Sequence, residues 1–217
     1  MTIHLCFHGI GSIRHEREPG ESRYWISEDV FLGILDRVRG RTDVELSFDD
    51  GNRSDADIAL PALIERGLGA TFFALAGRLD DPLSLGRDDL RQLHAWGMRV
   101  GSHGWDHVPW RGLDSADAHR EFVEARFALE EASGMSIRHA ALPLGRYDRK
   151  TLRRLRDAGY RAVFTSDRFP SNDTAWLRPR YSVTATDTVD SVVKILDGRP
   201  GIDSAVRLGK SLVKRMR

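Results

Sequence analysis

The chain has 217 residues, of which 41% are apolar and 30% charged, a composition typical of a globular protein with a substantial core. Its 33 basic and 32 acidic residues leave a formal net charge of +1, so the overall charge does not indicate a nucleic-acid partner. A single cysteine, Cys6, excludes an internal disulfide and any metal site built from several cysteines.

The N-terminal segment does not have the pattern of a secretory signal. The stretch "MTIHLCFHGIGSIRHE" lacks both a basic start and a long apolar centre. No run in the sequence approaches the roughly 18 apolar residues that a membrane span requires. We therefore predict a cytoplasmic protein without a membrane span.

Short strand-like runs alternate with helical patterns along most of the chain, which is typical of α/β proteins with a largely parallel sheet. A helix is expected over residues 54–66, with Ser54 as its N-cap and Gly67 at its end. Seven strands fit a barrel, although the alternation by itself leaves a doubly wound sheet open. The predicted strands cover residues 3–8, 43–48, 70–75, 98–103, 137–142, 161–166 and 180–185.

No repeat, low-complexity tract or linker-like stretch interrupts the sequence, so we predict one domain over residues 1–217. The stretch from about 203 to 217 alternates apolar residues with lysine and arginine, which predicts a basic amphipathic C-terminal helix. Two interpretations of this helix stay open. It is either a solvated terminal helix or a peripheral contact with the inner membrane surface.

The stretch "LSFDDG" ends a predicted buried strand on two adjacent carboxylates, Asp49 and Asp50. Two neighbouring negative charges raise each other's pKa, so such a pair needs a cation or a shared proton. A compensating charge must therefore come from another part of the chain or from a bound ion.

A second motif, "GSHGWDH", ends another predicted strand with His103 and His107. One helical turn there would place both imidazoles on the same side. Two imidazoles and one carboxylate are the ligands of a hydrolytic metal site. The pattern predicts a metal held by Asp50, His103 and His107, with Asp49 left free as a general base.

These two motifs resemble those of the polysaccharide deacetylases, the NodB-homology or carbohydrate esterase 4 family. The family's Thr/Ser-Phe-Asp-Asp-Gly matches residues 47–51, and its Ser-His-x-x-x-His matches residues 102–107. The resemblance implies a single-domain distorted (β/α)7 barrel. It also implies one divalent metal ion per chain, with zinc the first choice and cobalt or nickel the alternatives, and the roles just given for Asp49 and the three ligands.

The family's third motif, Arg-x-Pro-Tyr-Gly, is altered here to Ala-Leu-Pro-Leu-Gly at residues 141–145. The resemblance implies that the backbone N–H of Leu144 binds the oxyanion, because a backbone donor does not depend on its side chain. In the family the missing arginine steadies the base. The stretch "WLRPRYSV" offers Arg178 or Arg180 instead, and the resemblance favours Arg180.

The late histidine that serves ordinary family members as general acid is absent, since no histidine follows His139. The stretch "LCFHGIG" at residues 5–11 resembles the first strand of the permuted branch, the poly-N-acetylglucosamine deacetylases, which carries the acid histidine. This resemblance implies that His8 is the general acid. A hydrogen-bonded core histidine is the alternative interpretation.

Three tryptophans are candidates for stacking on sugar rings. Trp105 and Trp110 flank the second motif, and Trp176 lies where the family has its fourth motif. The acidic residue that the family places just before that tryptophan is replaced by Ala175.

Taken together, the resemblance implies a metal-dependent hydrolase whose substrate and partner is an N-acetylated carbohydrate. It would remove acetyl groups from a polysaccharide, an oligosaccharide or a glycolipid, by attack of a water held by the metal, during exopolysaccharide or glycolipid assembly. A catalytically inactive carbohydrate-binding barrel is the alternative that the altered third and fourth motifs suggest. Phosphate-ester hydrolysis at two metals would need more acidic ligands at strand ends than the sequence places there.

Overall fold

A computed structural model describes residues 1–13, 15–172, 174–198 and 202–216. The strands are β1 (Ile3–Phe7), β2 (Gly9–Ile10), β3 (Trp25–Ile26), β4 (Val44–Phe48), β5 (Ala70–Ala74), β6 (Arg99–Ser102), β7 (His139–Ala141), β8 (Ala162–Thr165), β9 (Leu177–Pro179) and β10 (Tyr181–Ser182). The α-helices are α1 (Glu28–Val38), α2 (Leu60–Arg66), α3 (Arg87–Ala95), α4 (Ser115–His119), α5 (Ala125–Ser133), α6 (Arg149–Asp157), α7 (Val189–Asp197) and α8 (Ile202–Met216).

Eight of these strands form one sheet in the order β10-β1-β4-β5-β6-β7-β8-β9, with every neighbouring pair parallel. The two outermost strands, β9 and β10, are separated in sequence only by Arg180. Because they pair with β8 and β1, the two ends of the sheet meet and the barrel is nearly closed. This confirms the prediction of a single-domain α/β barrel surrounded by helices.

The last predicted strand, 180–185, differs from the structure in its extent. The extended segment begins earlier, at β9, and changes partner at Arg180: Pro179 pairs with Thr165 of β8, whereas Tyr181 pairs with Leu5 of β1. A pattern of apolar residues predicts which residues of a strand are buried, but not which strand lies beside it. The sequence could therefore not reveal that one segment closes the barrel.

Aromatic side chains fill the space between the first strands and the helix that follows them. The rings of Phe48 and Phe72 stack with centroids 4.6 Å apart, and Phe7 stacks on Phe48 at 5.3 Å. Phe31 of α1 meets Phe7 edge-on. All four side chains are buried, so β1, β4 and β5 form a rigid base for the residues at their carboxyl ends.

The helix predicted over 54–66 is present, but its start differs from the expectation. Ser54 does not cap it, because the Ser54 hydroxyl accepts a hydrogen bond from the Ile10 N–H at 3.2 Å. A π-helical turn, Asp55–Ala59, precedes α2. The helix ends at Gly67, whose φ of 63° is accessible to glycine at little cost.

The C-terminal helix α8 packs against the barrel near α6. Its Ser211 hydroxyl lies 3.0 Å from the Tyr147 hydroxyl, and Lys214 Nζ lies 2.6 Å from Asp167 Oδ1. Leu212 and Met216 are exposed, while the side chains of residues 202–208 and all of residue 217 lie outside the described part. Within the described ranges, no helix combines the length and apolarity needed to cross a membrane.

Candidate active site

The residues singled out by the sequence motifs meet at the carboxyl ends of neighbouring strands. His8 follows β1, Asp49 and Asp50 follow β4, and His103 follows β6. The loop after β7 supplies Leu144. In a parallel barrel all strands end on the same side, so these side chains share one pocket of about 280 Å³.

Asp50 and the two histidines form a compact set of donor atoms. Asp50 Oδ1 lies 3.4 Å from Nε2 of His103 and 3.4 Å from Nε2 of His107. Oδ1 is buried and accepts no hydrogen bond from the described residues. One carboxylate oxygen and two imidazole nitrogens, all within 4.8 Å of one another, fit a divalent metal ion.

Hydrogen bonds on the other ring nitrogens set the tautomers of both imidazoles. His103 Nδ1 lies 3.0 Å from the Ala141 carbonyl oxygen, and His107 Nδ1 lies 2.7 Å from Glu18 Oε2. Carbonyl and carboxylate oxygens only accept hydrogen bonds, so each Nδ1 carries the hydrogen. The Nε2 lone pairs are then free to bind a metal.

The loop that carries His103 and His107 is irregular rather than helical, so the prediction of a helical turn there is wrong. The His103 N–H bonds to the Ala74 carbonyl of β5 at 2.8 Å, and His107 has a φ of 57°. The buried carboxylate of Glu121 accepts hydrogen bonds from the backbone N–H groups of Trp105 and Asp106. These bonds, rather than an i to i+4 helical repeat, bring the imidazoles together.

Asp49 is held by a buried arginine. Arg180 Nη1 and Nη2 donate to Oδ1 and Oδ2 of Asp49 at 2.6 and 2.7 Å, and Nη1 also donates to the Ser47 hydroxyl at 3.1 Å. Burial alone would raise the pKa of Asp49, but the charge and hydrogen bonds of Arg180 outweigh it and lower the pKa to about 2. Arg178, the other candidate, lies 3.5 Å from Glu45 instead.

His8 lies beside this carboxylate. One of its ring nitrogens is within 4.8 Å of an Asp49 oxygen, and its ring stacks on Tyr24 with centroids 4.6 Å apart. Burial lowers the pKa of His8, while the charges of Asp50 and Asp49 oppose that effect. Its Nδ1 has no hydrogen-bond partner among the described residues, in contrast to the partnered core histidine of the alternative interpretation.

Leu144 has a conformation that its residue type rarely adopts. It lies in the 3-10 turn Pro143–Gly145 with a φ of 56°, and its side chain is 54% exposed at the rim of the pocket. Such a backbone is costly for leucine, so the surrounding loop must hold it in place.

None of the three tryptophans lines the pocket, and the burial of Trp110 corrects the sugar-stacking expectation for that residue. Trp110 is 1% exposed and donates to Glu121, so its ring cannot contact a substrate. Trp176 donates to the Tyr160 carbonyl and packs under Arg156. Trp105 is half-buried beneath Arg120.

Several residues that line the pocket were not found by sequence reasoning. Glu18 and Tyr24 come from the segment between β2 and β3, and Arg78 from the 3-10 turn Ala76–Arg78 after β5. None of these three positions belongs to a motif or a periodic pattern. Only the contact with His107, 89 residues away in sequence, identifies Glu18.

Residues 36–163, more than half of the chain, match the family model described as polysaccharide deacetylase. The chain belongs to the polysaccharide deacetylase family. The matched range contains both metal-related motifs and Leu144, but neither His8 nor Arg180. The family resemblance suggested by the sequence is thereby confirmed, and deacetylation of carbohydrates, a hydrolysis, is the chemistry that the family supports.

A relative among curated proteins is YxkH of Bacillus subtilis (strain 168), whose name gives polysaccharide deacetylase only as a provisional assignment. It is 24% identical over 177 residues, which cover 75% of this chain and 63% of that protein. The chain thus spans less than two thirds of that relative's length.

Solved structures show the same fold. The polysaccharide deacetylase BC0361 from Bacillus cereus superimposes with a TM-score of 0.77 at 16% identity, covering 90% of this chain and 69% of the other. IcaB from Ammonifex degensii gives a TM-score of 0.71 at 23% identity, covering 89% of this chain and 96% of the other.

The depressed pKa of Asp49 predicts how stability depends on acidity. A carboxyl with a lowered folded-state pKa stabilises the protein above its unfolded-state pKa and loses that contribution as the pH falls. The shift from 3.8 to about 2 corresponds to about 2 kcal/mol in total, roughly half of it lost between pH 5 and pH 3. Urea unfolding of metal-free wild type and Asp49→Asn should show the wild-type advantage shrinking by about 1 kcal/mol over that range. A constant difference would contradict the assigned ion pair.

Proposed function

We propose that the chain is a divalent-metal-dependent deacetylase of N-acetylated sugars in a polysaccharide, an oligosaccharide or a glycolipid. The observation that carries this proposal is the pairing of two adjacent carboxylates with different partners. Asp50 faces two imidazole nitrogens, whereas Asp49 is held by Arg180. One carboxylate is thus available as a ligand and the other as a base.

Asp50, His103 and His107 would hold the metal. Zinc is favoured because one oxygen and two nitrogen donors, with further positions open, is the composition of catalytic zinc sites, and cobalt or nickel suit the same donors. When bound, the ion would polarise the acetamide carbonyl and lower the pKa of a water molecule towards neutrality.

Asp49 would take the proton from the attacking water. Arg180 holds both carboxylate oxygens in place and keeps the group ionised, as the pKa of about 2 indicates. Because Arg180 is 2% exposed, water does not screen this pair, and the orientation of the carboxylate is fixed.

The chain also offers groups for the oxyanion and for the leaving nitrogen. The Leu144 backbone N–H at the pocket rim would donate to the oxyanion. His8 would give a proton to the departing sugar nitrogen. Asp49, which lies within 4.8 Å of His8, would pass on to it the proton taken from the water.

The position of the acid histidine supports a substrate similar to that of the poly-N-acetylglucosamine branch, because His8 follows the first strand of the barrel. Action on the cytoplasmic side during exopolysaccharide or glycolipid assembly, with α8 touching the membrane surface, belongs to the same proposal. Leu212 and Val213, exposed beside Lys210 on α8, support such a contact.

Loss of acetyl groups from a panel of N-acetylated saccharides, followed by mass spectrometry, tests the proposal. We expect product from the zinc-loaded wild type, none after chelation, and recovery when zinc is added back. Asp49→Asn should bind zinc but lose at least about a hundredfold in rate, since it lacks the base. Equal product from wild type and Asp49→Asn would refute the assigned base, and no product from any saccharide would favour the carbohydrate-binding barrel.

Replacing the proposed acid should affect substrates according to their leaving groups. For His8→Gln we expect a loss of about a hundredfold or more in kcat/KM on an N-acetylated saccharide, whose amine must be protonated to leave. The loss on 4-nitrophenyl acetate should be much smaller, because nitrophenolate leaves without a proton. His94→Gln, an exposed histidine, is the matched control. Equal losses on both substrates would assign His8 a structural role.

A further inference from the structure

A carboxylate outside the family motifs, that of Glu18, contacts one of the candidate metal ligands. Glu18 lies in the segment between β2 and β3, which also contributes Pro19, Glu21 and Tyr24 to the pocket lining. Its Oε1 and Oε2 lie 2.8 and 2.7 Å from His107 Nδ1. Both distances are shorter than the 3.4 Å that separates His107 Nε2 from Asp50 Oδ1.

Glu18 contacts Nδ1, the ring nitrogen of His107 that does not face Asp50. His107 Nε2 is the atom 3.4 Å from Asp50 Oδ1. Glu18 therefore contacts the ring nitrogen that is not a candidate metal donor. A carboxylate on Nδ1–H fixes the tautomer and makes Nε2 a stronger electron donor. The same bond would hold the ring of a residue whose backbone, with a φ of 57°, is itself strained.

Glu18 is in turn anchored by a guanidinium. Arg78 Nη2 lies 2.5 Å from Glu18 Oε1. The turn that carries Arg78 is bonded to the histidine loop, because the Ala76 and Gly77 N–H groups donate to the carbonyls of Gly104 and Trp105. Arg78, Glu18 and His107 therefore form one connected chain of contacts fixed to the barrel.

The two candidate ligands His103 and His107 differ in the group that accepts a hydrogen bond from Nδ1. His103 Nδ1 donates to a backbone carbonyl, which is neutral and is fixed by β7, whereas His107 depends on a charged side chain from a separate loop. Removing the charge of one side chain can therefore alter one ligand and leave the other unchanged.

From these contacts we infer that Glu18 is a positioning residue that orients His107 and strengthens its bond to the metal, with Arg78 as its anchor. The inference rests on the metal site of the proposed function. A role as an ordinary surface ion pair is the competing explanation, since Glu18 and Arg78 are 35% and 18% exposed. An ion pair of that kind would affect folding stability slightly but not metal affinity.

The test is a zinc titration of the metal-free protein in competition with a chromophoric chelator, which does not depend on deacetylase activity. For Glu18→Gln we expect the zinc dissociation constant to rise by about ten- to a hundredfold. The free energy of unfolding of the metal-free protein should stay close to that of wild type. Arg78→Gln, which removes only the anchor, should give a smaller rise.

Glu16→Gln is the matched control, because it removes the same charge from the same segment. Glu16 accepts backbone hydrogen bonds from Ser22 and Gly20. Among the described residues, no hydrogen bond or ion pair joins it to His103 or His107, so wild-type zinc affinity is expected. If Glu18→Gln binds zinc as tightly as wild type, or if Glu16→Gln weakens binding equally, the positioning role is refuted. A wild type that binds no zinc refutes both the inference and the proposed metal site.

Discussion

Two carboxylates adjacent in sequence and both buried are the constraint around which the rest of the site is organised. Asp49 and Asp50 cannot both stay ionised in a protein interior without separate positive partners. Asp49 pairs with Arg180, which closes the barrel, whereas Asp50 faces two imidazoles from another strand end. The barrel is therefore closed at the proposed catalytic site, because Arg180, which joins the ends of the sheet, also pairs with Asp49, the proposed base.

Strained backbone at the pocket accompanies this arrangement. Of the four non-glycine residues described with positive φ, three line the pocket: Asp50, His107 and Leu144. Each costs about 1–3 kcal/mol relative to a relaxed conformation. The buried aromatic base of β1, β4 and β5 and the loop hydrogen bonds supply the rigidity that holds these conformations.

The fold and the donor set were largely predictable from the sequence, because both leave local patterns. Alternating strand and helix signals predicted an α/β protein with a parallel sheet, and the family resemblance selected a barrel. The stretch "FDDG" with the spaced histidines predicted residues that the structure brings within reach of one ion. The change of partner at Arg180 leaves no such pattern. Glu18 meets His107 only through a tertiary contact, and the burial of Trp110 depends on packing with Glu121. Interactions between distant segments are what single-sequence reasoning misses.

Anomalous diffraction from zinc-containing crystals tests the central claim most directly, since the described part of the chain contains two candidate donor groups. The account predicts one peak per chain at about 2.0–2.2 Å from an Asp50 oxygen and from Nε2 of both histidines, with Asp49 still paired to Arg180. A peak bound instead by Cys6, His8 and Asp49, or an Asp49 released from Arg180 to ligate the ion, would contradict it.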